Sequence, residues 1–296
     1  MEQKQRFVSF SGGESSGMMV SWLKHNDNSG EFNDHYVFMN TSKEKEETLQ
    51  FVDKVDKEFK LNIVWLEAVF DGIKGIGYKV TNFNEAKRNG EIFEEMIICY
   101  GLPNRNYPHC NRELKLQPAE RYAKDHLGKN YYRAIGIRAD EFDRINKNHI
   151  SLKYFYPLIE NHICKQDVNI FWKNKPFRLE LKGYEGNCNK CWKKTKRKLL
   201  TIIKEEEESG IIDNWWHEME VKYGNYVPPH RASKRKTLEN NLTFYRENLS
   251  HKDLVNLSKQ PFVKYLDDSV EYSKQINIFN QDLDSSFGCE ESCEVF

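Results

Sequence analysis

Three groups of residues in this chain have the types and spacing that chemistry requires. The first is Ser11-Gly12-Gly13-Glu14-Ser15-Ser16-Gly17. Two glycines let successive backbone N–H groups converge, serine hydroxyls add donors, and a helix opening directly afterwards adds partial positive charge. That combination is an anion pocket suited to phosphate; the plain alternative is an ordinary strand-to-helix turn. The second group is sulfur. Cys188 and Cys191 form a CxxC whose thiolates can share a metal or cluster iron, and Cys289 and Cys293 form another close pair. Cys110 stands just before a predicted helix start, where the helix dipole and nearby Arg112 and Lys115 favour thiolate. Two ligand sets follow. One is a four-thiolate zinc site from Cys188, Cys191, Cys289 and Cys293. The other is an iron–sulfur cluster on Cys110, Cys188 and Cys191, with a fourth ligand from the tail or an open iron. Cys99 and Cys164 lie in apolar contexts and read as structural. The third group is Arg138 with Asp140 and Glu141, at the end of a predicted strand. Arg138 is placed either to pair with a phosphate or sulfate or to form a surface ion pair.

These groups need elements to position them. Residues 7–10 predict a buried strand ahead of the loop, and Met18, Met19, Val20, Trp22 and Leu23 a helix after it. Residues 34–39, 61–66 and 131–137 predict further strands, and residues 44–59 a helix. Strands alternating with helices of this length give right-handed βαβ units and a parallel sheet. In such sheets the ligand sits outside the carboxyl ends of the strands, where residues 11–17 and 40–42 both fall. Thr41 and Glu44 have capping-box spacing, which predicts a helix start there. Over residues 70–106 the pattern loosens. Gly72, Gly75 and Gly77 with basic neighbours read as a loop folding over a nucleotide or as a connection, ahead of a helical piece at 91–100. Residues 167–172 and 193–208 are also helical. The second of these runs from basic to acidic against the helix dipole, so packing of Leu199, Leu200, Ile202 and Ile203 must hold it. The expected organisation is a nucleotide-binding α/β domain over 1–160 and a helical, cysteine-bearing part over 161–296.

Composition excludes several classes. The 296 residues carry 45 basic and 45 acidic side chains, so no global charge attracts nucleic acid. The local basic runs at 193–198 and 230–236 leave nucleic-acid contact open without favouring it; the first reads as a solvated helix face. Aromatic residues are plentiful enough for a substantial core. No apolar run approaches membrane-crossing length and no signal-peptide pattern opens the sequence. Seven cysteines, an odd number, argue for a reducing, cytoplasmic setting and for metal or redox chemistry over disulfides. A homo-oligomer is compatible with all of this.

Residues 11–16 also resemble the SGGxDS loop of the PP-loop ATP pyrophosphatase superfamily, with Ser15 where Asp is usual; no Walker-type GxxxxGK[ST] is present. Asn40-Thr41-Ser42-x-Glu44-x-Glu46-Glu47-Thr48 resembles the NTGxExEET segment of the phosphoadenosine phosphosulfate (PAPS) reductase-like branch, with Ser42 in place of Gly. Cys110-Asn111-Arg112-Glu113-Leu114-Lys115 resembles its CTRELKxxP box, and Gly136-Ile137-Arg138-x-Asp140-Glu141 its GIRxDE segment. Reductases of this kind that carry an iron–sulfur cluster have adjacent cysteines where this chain has His109-Cys110. Over residues 7–198 the chain thus resembles PAPS reductase-like proteins of phages and mobile elements. The resemblance implies an adenine nucleotide alpha hydrolase-like fold and ATP with Mg2+ as cofactor. It places pyrophosphate on Ser11, Gly12, Gly13, Ser15, Ser16 and Gly17, and adenosine beside Asn40, Thr41 and Ser42. It puts anionic groups on Lys115 and Arg138, as catalytic residues, and favours the cluster on Cys110, Cys188 and Cys191. The implied activity is cleavage of ATP between its α and β phosphates, adenylating an acceptor substrate, coupled to sulfur transfer. Sulfonucleotide reduction is the alternative. The retained loop and a Cys-Glu-Glu-Ser-Cys tail in place of an ECGxH-like motif count against it. A non-catalytic nucleotide-binding module with structural zinc is the third reading.

Overall fold

The computed structural model describes residues 3–27, 29–186, 188–234 and 241–267. Six strands form one sheet: β1 (Lys4–Phe10), β2 (Phe32–Asn40), β3 (Val64–Phe70), β4 (Gly75–Thr81), β5 (Tyr131–Ala134) and β6 (Tyr154–Phe155). Their order is β4-β3-β2-β1-β5-β6, and every pairing is parallel except the antiparallel β3–β4 edge. The helices are α1 (Glu14–Asn26), α2 (Glu46–Phe59), α3 (Glu91–Tyr100), α4 (Gln117–His126), α5 (Pro157–Glu160), α6 (Lys165–Lys173), α7 (Lys196–Ser209), α8 (Trp215–Tyr223) and α9 (His251–Ser258). This is the expected α/β fold with a helical C-terminal part.

The central strands read as unbroken apolar runs because both faces of the sheet are covered. Side chains alternate across it with period two. Val8, Phe10 and Phe38 join α1, α2 and Trp172 of α6 on one face. Phe7, Val37, Met39 and Leu66 meet Ala119, Tyr122 and Ala123 of α4 on the other. A third cluster joins α3 to α7, α8 and α9 through Phe93, Met96, Leu199, Ile203, Trp216 and Leu254. Packing therefore continues across residue 160. Leu199, Leu200, Ile202 and Ile203 of α7 are all buried, as the charge order of that helix requires. Among the described residues no helix is long and apolar enough to cross a membrane.

Four local expectations need correction. β5 ends at Ala134 and does not run on to Ile137. Residues 75–81 are an antiparallel edge strand, not part of a loose connection; a half-exposed edge rich in glycine carries no apolar signal. β3 begins at Val64, because Lys60 and Asn62 take left-handed φ of 51° and 57° and turn the chain first. Thr41 and Glu44 bond to each other, Thr41 N–H and Oγ1 donating to the carboxylate at 2.9 and 2.8 Å. That pair closes a turn, however, and α2 opens only at Glu46 behind Lys45. Ser42 at φ 65° is what keeps the strip from continuing as helix.

Candidate active site

β1 delivers the glycine–serine loop to the carboxyl edge of the sheet, beside β2 and β5. Gly12 has φ 83°, and a Cβ there would lie 2.6 Å from Thr48 Cγ2. Only glycine fits this turn. Ser16 is buried and acts as a brace: its Oγ donates to the Gly13 carbonyl at 3.0 Å and accepts from Ser11 N–H at 3.2 Å. The Ser11 and Ser16 hydroxyls are also bonded at 2.8 Å. Gly13 is the N-cap of α1, and among the described residues no side chain caps the first N–H groups of that helix. Ser15, half-buried, accepts from Arg138 Nη1 at 3.1 Å. The loop is clamped behind by Gly136, where a Cβ would come within 2.8 Å of Ser16 Cα.

Arg138 forms the ion pair that one of its two sequence readings expects. It pairs with Asp140 through Nε and Nη2 at 3.0 and 3.1 Å while still reaching Ser15. Burial works against the Asp140 carboxylate, but Arg138 outweighs it and holds its pKa below the ordinary value. Two residues that sequence reasoning missed complete the loop. Arg178 grips the Glu14 carboxylate with Nε and Nη2 at 3.0 and 2.9 Å. Burial still pushes the Glu14 pKa up. Trp172 Nε1 donates to the Glu14 carbonyl at 2.9 Å, and its ring packs where a Cβ on Gly17 would lie 2.8 Å away.

Asn40, Thr41 and Ser42 are buried and committed to the protein. Asn40 Nδ2 donates to Glu67 Oε1 and to the Lys87 carbonyl, both at 2.8 Å, and Ser42 Oγ accepts from Ile92 N–H at 3.1 Å. These side chains build the floor at the end of β2.

The same strip leads to the sulfur. Cys188 pairs with Glu44 in an isolated antiparallel bridge, and its Sγ lies 3.4 Å from Thr41 Oγ1. Cys110, Cys188 and Cys191 all line one apolar cavity with Thr41, Lys115 and Trp216. It measures about 20 Å³, room for about one water. Lys115 arrives there through a π-helical turn at Arg112–Leu116. Pro118 follows that turn and has no N–H for the Leu114 carbonyl, so the helix widens and Gln117 N–H reaches Arg112 instead. The Lys115 ammonium is 3.7 Å from Glu44. Lys115 thus faces the sulfur cavity and Arg138 the loop. Among the described residues no three His, Cys, Asp or Glu side chains gather around a single metal-ion position. Cys289 and Cys293 lie outside the described residues. Cys99 is buried in α3 and Cys164 precedes α6, its N–H and Sγ bonded to Asp167 at 2.9 and 3.0 Å.

Lys190, inside the CxxC, carries no signal of its own in the sequence. It is fully buried, with Nζ 2.6 Å from both Glu206 Oε2 and the Asp213 carbonyl and 3.4 Å from His251 Nε2. It ties the CxxC turn to α7, α8 and α9. Lys194, likewise buried, donates to the Tyr184 carbonyl at 2.9 Å and so departs from the solvated reading, whereas Lys196 of the same run is exposed. Of the later basic run, Arg231 stacks on Tyr100, and residues 235–240 lie outside the described residues.

Comparison with known proteins fits this geometry. The phosphoadenosine phosphosulfate reductase domain matches residues 5–159, which hold the loop, the strip, Cys110 and Arg138. An uncharacterized nin region protein of Escherichia phage lambda is 30% identical over 98% of this chain and 94% of its own length. Two uncharacterized proteins of Methanocaldococcus jannaschii are 29% and 28% identical over 65% and 79% of this chain, which spans 34% and 55% of theirs. The domain match and the phage relative agree across most of the sequence: the chain belongs to the phosphoadenosine phosphosulfate reductase domain family.

Proposed function

We propose that this protein binds ATP with Mg2+ at residues 11–17 and cleaves it between the α and β phosphates to adenylate an acceptor. One observation carries this reading: Arg138 Nη1 is hydrogen-bonded to Ser15 at the rim of the glycine turn that opens α1. A substrate oxygen attacks the α-phosphorus. The bond from that phosphorus to the bridging oxygen breaks, and its electron pair leaves with pyrophosphate. Negative charge collects on the leaving group, where the N–H groups of α1, the Ser15 hydroxyl and the Arg138 guanidinium stabilise it. Glu14 and Asp140 are already held by Arg178 and Arg138. Mg2+ would therefore come on the phosphates with water ligands, as is common for this ion. A sulfur nucleophile then displaces AMP from the adenylated acceptor.

Cys110, Cys188 and Cys191 line one apolar space. Thiolates at CxxC spacing serve an iron–sulfur cluster as well as zinc; we assign these three to a cluster, for which the cavity of about 20 Å³ must open. When bound, the cluster supplies an iron able to carry sulfur. Lys115 and Thr41 border it, and the strip from Thr41 to Glu44 joins it to the nucleotide floor.

The test is calorimetric ATP binding together with pyrophosphate release, on the wild type and on a Ser15→Ala/Arg138→Ala double variant. The proposal expects wild-type binding and release and a double variant weakened at least tenfold. Unchanged binding in the double variant, or none in the wild type at millimolar ATP, would sink it.

A further inference from the structure

One groove among the described residues belongs to neither the loop nor the sulfur cavity. It encloses about 380 Å³ between Lys43, Lys45, Arg88, Asn189, Asp213 and Trp215. Glu44 also lies along it, but its carboxylate turns inward to Thr41 with the side chain 2% exposed. The groove face therefore carries three cations against the carboxylate of Asp213. Each cation is held in place by an acid. Lys43 pairs with Asp213 at 3.1 Å, Lys45 with Glu185, and Arg88 with Glu46 at 2.7 Å. Arg88 is fixed further by the carbonyls of Ala86 and Phe83, both at 2.7 Å. The Lys43 ammonium sits 4.8 Å from the centre of the Trp215 ring. The indole is seated so closely on Gly90 that a Cβ there would lie 2.3 Å from Trp215 Nε1.

Size and position narrow the occupant. A bare anion is far smaller than this groove, whereas a nucleotide-sized piece fills a space of this order. The strip through Lys43 and Glu44 is a wall shared with the sulfur cavity: Thr41 and Cys188 meet on one side, and Asn189 N–H bonds the Lys43 carbonyl at 2.9 Å. Asn189, Asp213 and Trp215 stand beyond residues 5–159, so this groove is not built by the matched domain alone. The ammonium and guanidinium donors are already oriented, and charge-assisted hydrogen bonds from such groups to phosphate are among the strong ones.

We propose that the groove seats the acceptor substrate, and that this acceptor is a nucleotide phosphate ester, free or within a nucleic-acid strand. Its role as acceptor rests on the adenylation reading; its binding does not. Anisotropy of a fluorescein-labelled twelve-residue oligothymidylate, competed with uridine monophosphate, tests it on the full chain. The expected result is saturable binding that weakens at least tenfold in Lys43→Gln/Lys45→Gln. The slope of log affinity against log salt should shrink by about 1 to 2. Lys264→Gln, an exposed lysine paired with Glu208, is the control for loss of a lysine outside the groove and should bind as the wild type. Displacement by the mononucleotide assigns a free nucleotide; displacement by unlabelled oligonucleotide alone assigns a strand. Thermal melting checks the fold of the double variant, with Lys45→Gln alone as the milder substitute. Binding of neither ligand, or equal loss in the Lys264→Gln control, overturns the proposal. ATP binding lost in the Ser15→Ala/Arg138→Ala variant with oligonucleotide binding intact separates this site from the loop.

Discussion

The glycine–serine loop and the sulfur cavity lie at the same edge of one sheet, yet they are built in opposite ways. The loop is seven consecutive residues whose geometry follows from local rules: left-handed Gly12, bracing Ser16, uncapped α1. The cavity is assembled from Thr41, Cys110, Lys115, Cys188 and Cys191, which come from three distant parts of the sequence. A local site is vulnerable to the backbone at a few positions. An assembled site is vulnerable to whatever holds its parts together, here the buried Lys190 and the helices it joins.

The largest effect should come from Gly12→Ala. The left-handed backbone costs an L-residue about 1–2 kcal/mol. Overpacking against Thr48 Cγ2 at 2.6 Å adds about 1–3 kcal/mol. Together these predict a Tm lower by on the order of 10 °C and loss of ATP binding, readable by scanning fluorimetry with and without ATP. A variant that melts like the wild type would mean that the loop is not the rigid element described here. Next in size is Arg138→Ala. A charge-assisted hydrogen bond of about 1.5–3 kcal/mol predicts ATP affinity lower by about 10- to 100-fold, with cluster content unchanged. Equal loss of both would erase the distinction between the two regions.

That distinction also decides what the sequence could reveal. The loop was legible because its meaning is contained in adjacent residues, and the departure at Ser42 was legible too: the structure puts φ 65° where glycine would sit without strain. The cysteines were legible as motifs, but their convergence with Thr41 and Lys115 was not, since nothing in the spacing of Cys110 and Cys188 sets their separation in space. The edge strand β4 was hidden for a different reason. Its partners lie on one side only, and Ile76 and Val80 are more than half exposed. Lys190 was hidden because a buried lysine and a solvated one are the same letter, and only burial with three acceptors tells them apart.

Behind the cavity, and not behind the loop, lie two buried groups with opposed titrations. Burial raises the Glu220 pKa to about 7, the N–H groups of Phe244 and His251 offsetting only part of it. Burial, with Lys190 adding to it, lowers His251 to about 4. Between pH 4.5 and 7 folded Glu220 keeps a proton that the unfolded chain releases, so its contribution grows as pH falls. Between pH 6.5 and 4 unfolded His251 takes a proton that the folded state refuses, so its contribution shrinks over nearly the same window. The two nearly cancel. His251→Phe should uncover Glu220 and gain about 2 kcal/mol relative to the wild type on going from pH 7 to pH 5. Urea midpoints at both pH values measure this, and parallel shifts would refute the opposition.

Cys188→Ser should have the smallest effect on the loop and is the sharpest test of separateness. The thiol contributes to the sulfur cavity and touches Thr41 Oγ1 at 3.4 Å, while Thr41 itself is anchored through Glu44. Serine keeps a polar atom near Thr41 but is a poor ligand for iron, which prefers thiolate here. Iron and acid-labile sulfide in anaerobically purified protein should therefore fall to background, whereas ATP affinity stays within twofold. Zinc without sulfide in the wild type would remove the cluster and leave the comparison to rest on the loop alone. A tenfold loss of ATP affinity in the variant would show that the strip from Thr41 to Glu44 transmits the state of the sulfur site to the nucleotide floor. The two regions would then be one site, joined by the residues that separate them in the sequence.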